Sequence, residues 1–503
     1  MTPDVTGNAP DTLTAIWPDE AIEAMAAASR EVLATVGVRV DSETAQRAML
    51  AAGCAPGTAG RVLVPAAALN AALASCPREF TLLARDRAKS LPFAPEPGDM
   101  WVHNSGEDPN VADPLTGVNR PSTLRDQALA ARVMHHLRYP HTIGSLFWPS
   151  DVPAELQPLY SFLALARETD KHVSSPLADY GWQTGSLAAM AEAIAASDPV
   201  RDEYSFHLAL CPVSPLQLSA EVCEGLLALA DHPAAVEILP APMAGTTAPG
   251  SLAGGLVQQH AEILAGIVLA QAVRPGTACY AGARLGPTDP RTGEAVGGAP
   301  EGSLASLAAT LLARRDGLAC DCYGPLSGAQ VLDLQAGLEE GVTLLLSMLS
   351  RPRFLSGCGV MQGTASCLEA LVVHDQLFAH AFNGLTVGRR WDEEALAVEA
   401  IRAAVLGGKG FLAQKHTRRA LRYALEPSRL GFHGGLDEWL GLERASVVDE
   451  ARARVDELVA REPLGLPAEV DAELCAIIDR TARERGLDEW PDPRRSPEEA
   501  PQS

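Results

Sequence analysis

The sequence predicts a closed (β/α)8 barrel, the TIM-barrel class, with an α+β cap before it and a helical extension after it. Short β-type runs recur roughly every 30 to 42 residues, each followed by turn residues and an Ala/Leu-rich stretch long enough for a helix. Eight such units fit between residues 100 and 358. Many of the runs are apolar nearly throughout, as strands covered on both faces must be. An open doubly wound sheet usually has fewer repeats.

Ahead of the barrel, residues 18–36 read as an amphipathic helix and 61–65 and 80–84 as short strands, so residues 1–97 form the cap. Barrel strands are expected at 100–104, 141–147, 172–175, 205–211, 236–240, 277–282, 319–323 and 353–357, within a domain spanning 98–380. Between them, Ser122 precedes a helical run to residue 137, and Asp151-Val-Pro-Ala-Glu155 sets an N-cap, an early proline and a first-turn acid before an apolar stripe. The stretch 251–273 is longer and more apolar, which predicts a helix pressed against the barrel. From 381 to 490, helical patterns with Glu/Arg-rich faces are interrupted near Gly407-Gly408-Lys409-Gly410 and at 431–435. Residues 1–12 and 491–503 are polar and proline-bearing and read as tails, the second as disordered.

Composition narrows the function. The chain has 503 residues, 47% hydrophobic and 20% charged, enough to bury a large core. Its 63 acidic against 40 basic residues give a formal charge of −23, and no Lys/Arg stripe is present to neutralise phosphates, so nucleic acid is not an expected partner. No basic start followed by an apolar run marks a signal peptide, and no membrane association is expected. Ten scattered cysteines suit a reducing compartment, so the expectation is a cytoplasmic protein.

In such a barrel the main cavity and the chemistry belong at the carboxyl ends of the strands. Those ends are uneven: His103 and Asn104 close the first strand, Phe147 and Trp148 the second, Cys211 the fourth, Tyr323 the seventh, and Arg284 follows the sixth. Aromatic residues are 5% of the chain, yet several fall at this mouth.

These residues also carry a resemblance. The stretch Glu237-Ile-Leu-Pro-Ala-Pro-Met-Ala-Gly-Thr-Thr-Ala-Pro249, continuing as Leu256-Val-Gln-Gln-His-Ala-Glu-Ile-Leu-Ala-Gly266, resembles the core signature of the trimethylamine methyltransferase superfamily. Asp151-Val-Pro-Ala-Glu155, Cys211-Pro-Val-Ser-Pro-Leu216, Val331-Leu-Asp-Leu-Gln-Ala-Gly-Leu-Glu339 and His416-Thr417 follow in the family's order. The resemblance implies a barrel enzyme that takes a methyl group from an amine and passes it to the cobalt of a corrinoid (cobalamin) held on a partner protein, with no cofactor bound tightly by this chain. The trimethylamine branch carries pyrrolysine after strand seven. Here residues 323–330 are all standard, which implies the pyrrolysine-free branch and a substrate already activated as a quaternary ammonium, glycine betaine being the family's best example. Two loops depart from the common pattern, at Leu326-Ser-Gly-Ala-Gln330 and at Val360-Met-Gln-Gly363.

A quaternary ammonium has no N–H to donate, so aromatic faces and negative potential must hold it. Trp148 and Tyr323, with Phe147 and Trp182, are the candidates for that wall, and barrel-rim packing is the competing role of each. Arg284 could clamp a betaine carboxylate or form a salt bridge on the barrel top. His103 could orient the substrate or move a proton, with Asn104 beside it. Gly245, Thr246 and Thr247 lead into a helix N-terminus and could bind a phosphate or carboxylate of the cofactor. Cys320, Cys322 and Cys358 lack the spacing of a zinc ribbon, so no metal is expected, and Cys211 as a nucleophile is countered by the following Pro212 and the lack of a paired histidine in sequence, which argue for packing. Two rival functions stay open: a barrel lyase or isomerase using His103 and Tyr323 as acid and base, and a non-catalytic small-molecule-binding homologue. Exposed helices after the barrel suggest a homo-oligomer.

Overall fold

A computed structural model describes residues 16–497 except 105, 179, 196–201, 362–364, 388–391, 409, 425–429 and 442–445. Eight short strands lie within a few residues of the predicted positions: β1 (Trp101–Val102), β2 (Thr142–Ile143), β3 (His172–Val173), β4 (His207–Leu210), β5 (Ala235–Ile238), β6 (Ala278–Ala283), β7 (Cys320–Tyr323) and β8 (Phe354–Ser356). A helix follows each one: α1 (Leu124–His136), α2 (Gln157–Glu168), α3 (Gly181–Ile194), α4 (Ala220–Ala228), α5 (Leu252–Val273), α6 (Pro300–Arg315), α7 (Leu334–Leu349) and α8 (Leu368–Val387). Every residue of β5 and β6 is buried, which is why these strands read as apolar runs rather than alternating ones.

Six strands form one parallel sheet in the order β4-β5-β6-β7-β8-β1, and β2 and β3 form a separate parallel pair. The larger sheet is curled into a half-barrel. His103, just past β1, and His207, at the start of β4, belong to opposite edges, yet their ring centroids are 6.4 Å apart. In a flat sheet with strands about 4.8 Å apart they would be more than ~20 Å apart. The β2–β3 pair lies across the open side: His141 N donates to Val102 O at 2.7 Å, and Ser175 N donates to His207 O at 3.1 Å. Regular pairing therefore covers six strands and two, and the closed eight-stranded barrel expected from the sequence is met only to that extent.

The cap does more than cover. Its hairpin, Phe80–Leu82 with Leu91–Phe93, plugs the amino end of the curled sheet, where Phe93 meets Phe354 at 4.7 Å and Tyr280 at 5.4 Å between ring centroids. The helix Asp19–Thr35 lies against α5. By length and composition α5 could cross a membrane, but it is largely buried in the core between that helix and the barrel. Local capping differs in one place from expectation. Thr123 forms a capping box with Asp126 on α1, and Asp151 accepts from Leu124 N at 2.8 Å, so Asp151 serves α1 rather than the helix that follows it.

After α8, the helices Val447–Val459 and Ala468–Glu484 return to the barrel's outer layer through Val448, Ala451, Leu458, Leu474, Ile477 and Ile478. The expectation of a disordered tail from residue 491 does not hold for residues 491–497. Tyr160 donates to Pro491 O, Cys475 Sγ to Pro493 O at 3.5 Å, and Arg494 pairs with Asp479 at 2.5 Å, so this segment is tied to the helices beneath it.

The cavity expectation needs a second correction. The larger hollow, 1130 Å3, lies at the amino ends, between Arg78, Tyr204, Arg274 and Thr277. A smaller one of 310 Å3 lies at the carboxyl ends.

Candidate active site

The carboxyl-end hollow is set apart by the charge buried against it. It is lined by His103 and Asn104 from the end of β1, Glu107 and Asp108 just beyond, Glu237 from β5, and Arg284 and Tyr323 from the ends of β6 and β7. Asp321, at the centre of β7, is fully buried behind them. Arg284 Nη2 meets Asp321 Oδ2 at 2.5 Å and stands 3.8 Å from Glu237 Oε1, while Nη1 donates to Ala283 O at 3.1 Å. The guanidinium also sits over one face of the Tyr323 ring, 4.3 Å from its centroid. Ser356 donates to Asp321 from β8 at 2.7 Å, which fixes the carboxylate from the other side.

One guanidinium thus serves two carboxyl groups. Burial pushes the Glu237 carboxyl well above the usual carboxylate range, the charge of Asp321 adds to that, and Arg284 offsets only part of it. Burial therefore favours the uncharged form of Glu237. Its Oε2 accepts from the Tyr280 hydroxyl at 3.3 Å, and that hydroxyl also shares a hydrogen bond with His207 Nε2. No N–H or hydroxyl donor reaches its Oε1 among the described residues, and the carboxyl faces Asp321, a hydrogen-bond partner for its protonated form. Gly282 makes the room: a Cβ there would fall 2.4 Å from Glu237 Oε1.

Below this layer His103, His172 and His207 face one another. Burial holds His103 and His172 down to about 4 and His207 well below its ordinary value, so all three are neutral imidazoles at neutral pH. His103 Nδ1 lies 3.3 Å from Ser356 Oγ, and its Nε2 has no hydrogen-bond partner among the described residues. Glu107 has left-handed backbone (φ 65°), a conformation uncommon outside glycine and concentrated at functional sites.

Of the residues picked out by sequence, His103, Asn104, Arg284, Tyr323 and Cys211 do reach one cavity. Asn104 is a positioning residue, because its amide is spent on Gly144: Nδ2 donates to the carbonyl at 2.9 Å and Oδ1 accepts from the N–H at 2.7 Å. Arg284 forms the salt bridge rather than a free carboxylate clamp, because Asp321 holds it.

The other aromatic candidates lie elsewhere. Phe147 is fully buried in the core, its N–H bonded to Gln127 Oε1 at 2.9 Å. Trp148 is half-buried outside the cavity, with its backbone tied to Asp108 and Ser122. Trp182, at the start of α3, stacks on Tyr180 and lies under Arg485 from the C-terminal extension. No aromatic cage forms from these residues, and Tyr323 alone of them faces the hollow.

Nor does the Gly245, Thr246, Thr247 turn form an anion cradle. The amides of Thr246, Thr247 and Ala248 all donate to Met243 O and that of Gly245 to Ala248 O, so they are already used. Among the described residues no group of three His, Cys, Asp or Glu is arranged to hold a metal. Cys320 and Cys322 flank the inward-facing Asp321 and are buried, and burial pushes the Cys320 thiol up to about 12. The loop at 326–330 folds onto Glu339, with Gly328 N donating at 2.7 Å. Val360 lines the hollow, and residues 362 and 363 are outside the described set.

Sequence reasoning passed over Glu237, Asp321, Tyr280 and His207. The signal was present: an acid in the middle of an apolar strand, Ala-Val-Glu-Ile in β5 and Cys-Asp-Cys-Tyr in β7, is costly to bury without a purpose.

With this geometry in hand, the chain can be set beside known proteins. The family model Trimethylamine methyltransferase (MTTB) matches residues 2–486. The glycine betaine methyltransferase of Desulfitobacterium hafniense is 30% identical over 85% of this chain and 88% of its own length. The trimethylamine methyltransferase MttB of Methanosarcina barkeri is 33% identical over 56% of this chain and 57% of its own, and that of D. hafniense 24% over 94% and 95%. Among solved structures, the M. barkeri monomethylamine methyltransferase superposes with a TM-score of 0.44 at 12% identity, over 87% of this chain and 93% of that one. On a family match running nearly end to end and a relative aligned over most of both lengths, the chain belongs to the trimethylamine methyltransferase family and is a methyltransferase.

Proposed function

We propose that the chain demethylates a quaternary ammonium compound in the carboxyl-end hollow and passes the methyl group to the cobalt of a corrinoid carried by a partner protein. The observation that carries this reading is the lining: three carboxyl groups, Glu107, Asp108 and Glu237, against one guanidinium that is already paired. Negative potential of that kind holds a cation that cannot donate hydrogen bonds. The similar D. hafniense enzyme is named for glycine betaine, a compound of this class. We also infer that the chain closes as a full (β/α)8 barrel through the bonds that link β2 and β3 to their neighbours.

A quaternary nitrogen leaves with its bonding pair as a neutral amine, so the transfer requires no proton from the protein. The chain's contribution is therefore binding, alignment and exclusion of water. Asn104 and Ser356 hold the wall in place, and His103, neutral, offers a single hydrogen-bonding nitrogen without adding positive charge. Gly106, Leu177, Cys211 and Ala241 are exposed on the lining, which leaves an open approach for an acceptor arriving on another protein. The corrinoid supplies the nucleophilic metal when it is present.

The test is methyl transfer from a panel of quaternary amines to cob(I)alamin, followed by the absorbance of the methylated corrinoid. Chain-dependent transfer from at least one of them is expected. Transfer from none, with the protein folded and the amines bound, would overturn the proposal.

A further inference from the structure

Among the described residues, the hollow has no free positive charge. Of its lining residues only Arg284 and His103 are basic. Arg284 is bonded to Asp321 at 2.5 Å and to Ala283 O, with the Tyr323 ring against its face. His103 is kept neutral by burial. On the acidic side, Glu237 is 1% exposed, lines the hollow, and has an oxygen that no N–H or hydroxyl donor reaches among the described residues. Glu107 and Asp108 stand on the same wall.

Resting on the function proposed above, we propose that the substrate is a methylated ammonium that is a net cation, and that the site discriminates against inner salts carrying a carboxylate. An ammonium group placed here gains from the carboxyl groups on the wall, and its charge in turn favours ionisation of those that burial disfavours, Glu237 and Asp108. A carboxylate attached to it would enter the same 310 Å3 space, too small to hold the two ends far apart, beside Glu237 and with no unpaired guanidinium or ammonium to receive it. Arg284, the one cation on the described lining, would first have to leave Asp321, which is fully buried, and the polar groups left there, the Ser145 hydroxyl and the uncharged His103, bring no positive charge.

Choline and glycine betaine form a matched pair for the test, since they share the trimethylammonium head and differ in a hydroxymethyl against a carboxylate. Calorimetric titration of the full chain with each is expected to show choline binding at least tenfold more tightly, and Glu237→Gln to narrow that preference at least threefold. Glu107→Gln, at the more exposed end of the wall, gives the same comparison if the first variant does not fold. Glycine betaine binding as tightly as choline, or a preference unmoved in both folded variants, overturns the inference. If betaine is at the same time demethylated, the proposed function stands without it; if neither compound binds and no quaternary amine donates a methyl group, both fall.

Discussion

Two buried arginine clusters in this molecule use the same chemistry to different ends. Arg132 on α1 meets Glu168 on α2 through two parallel bonds of 2.9 and 2.8 Å, and its remaining nitrogen donates to Val459 O at 3.0 Å. Both side chains are about 5% exposed, and both carboxylate oxygens are used. That cluster closes on itself and ties two barrel helices to the C-terminal extension. At the barrel mouth, Arg284 faces two carboxyl groups, bonds one, and leaves an oxygen of the other beside a cavity with no N–H or hydroxyl donor among the described residues. A buried charge set that balances holds structure together. One that does not balance, and borders a hollow, is prepared for a ligand.

The largest effect expected from this contrast is on stability at the closed cluster. Arg132→Met leaves Glu168 buried without its partner and should lower unfolding free energy by about 3–5 kcal/mol, read from denaturant titration. Quaternary-amine affinity in the fraction that remains folded should be unchanged. A loss under ~1 kcal/mol would show that water reaches Glu168 and that the cluster is not closed.

Acid comes next. His172 is buried and neutral, with a folded pKa of about 4 against an ordinary 6.5. Between those values the unfolded chain binds the extra proton, so the stability contributed is complete above pH 6.5 and is lost as pH falls toward 4. At about 1.4 kcal/mol per pH unit this is roughly 3 kcal/mol. His207 acts in the same direction, and Glu237, whose folded pKa is raised, in the opposite one: its neutral form favours folding at low pH and that contribution fades as pH rises. Chemical denaturation at pH 7.5 and 5 should show the drop, with a shallower slope in folded His172→Gln. A slope unchanged by that substitution would place the acid sensitivity elsewhere.

The same substitution at the two clusters should then give opposite results. Glu168→Gln removes a paired charge and destabilises. Glu237→Gln replaces a carboxyl that burial already pushes toward its uncharged form, so its cost should be under ~1 kcal/mol, but the amide cannot ionise to meet a bound cation, and affinity for a quaternary amine falls about threefold or more. If Glu237→Gln destabilises as much as Glu168→Gln, the mouth cluster is structural.

What the sequence shows of this molecule follows the range of the forces involved. The eight strands were legible because burial on both faces leaves continuous apolar runs, and the spacing of βα units does not depend on distant contacts. Glu237 lay inside the most specific stretch of the family resemblance, yet a strand position says nothing of the charge across the barrel that makes it unusual. Trp148 misled because the facing of a loop side chain is set by tertiary bonds, here those of its backbone to Asp108 and Ser122. The large amino-end hollow was not legible at all, since segments around residues 78, 204, 234 and 274 meet only in three dimensions.

The smallest effect separates the aromatic wall expected from sequence from the carboxylate wall found in the structure. Tyr323 lines the hollow and carries Arg284 over its ring, so Tyr323→Leu removes both a surface of the site and a support of its one cation. Loss of such a face should cost about 0.5–2 kcal/mol, near 2- to 30-fold in affinity for tetramethylammonium, and Tyr323→Phe, which keeps the ring, should cost less. Trp148→Leu should stay within about twofold of wild type, because the Trp148 ring is not on the lining and its fixed contacts are made by backbone. Circular dichroism must first show that each variant is folded, since a half-buried tryptophan also packs. A Trp148→Leu loss as large as that of Tyr323→Leu would restore the aromatic wall and count against the carboxylates as the main hold on the cation.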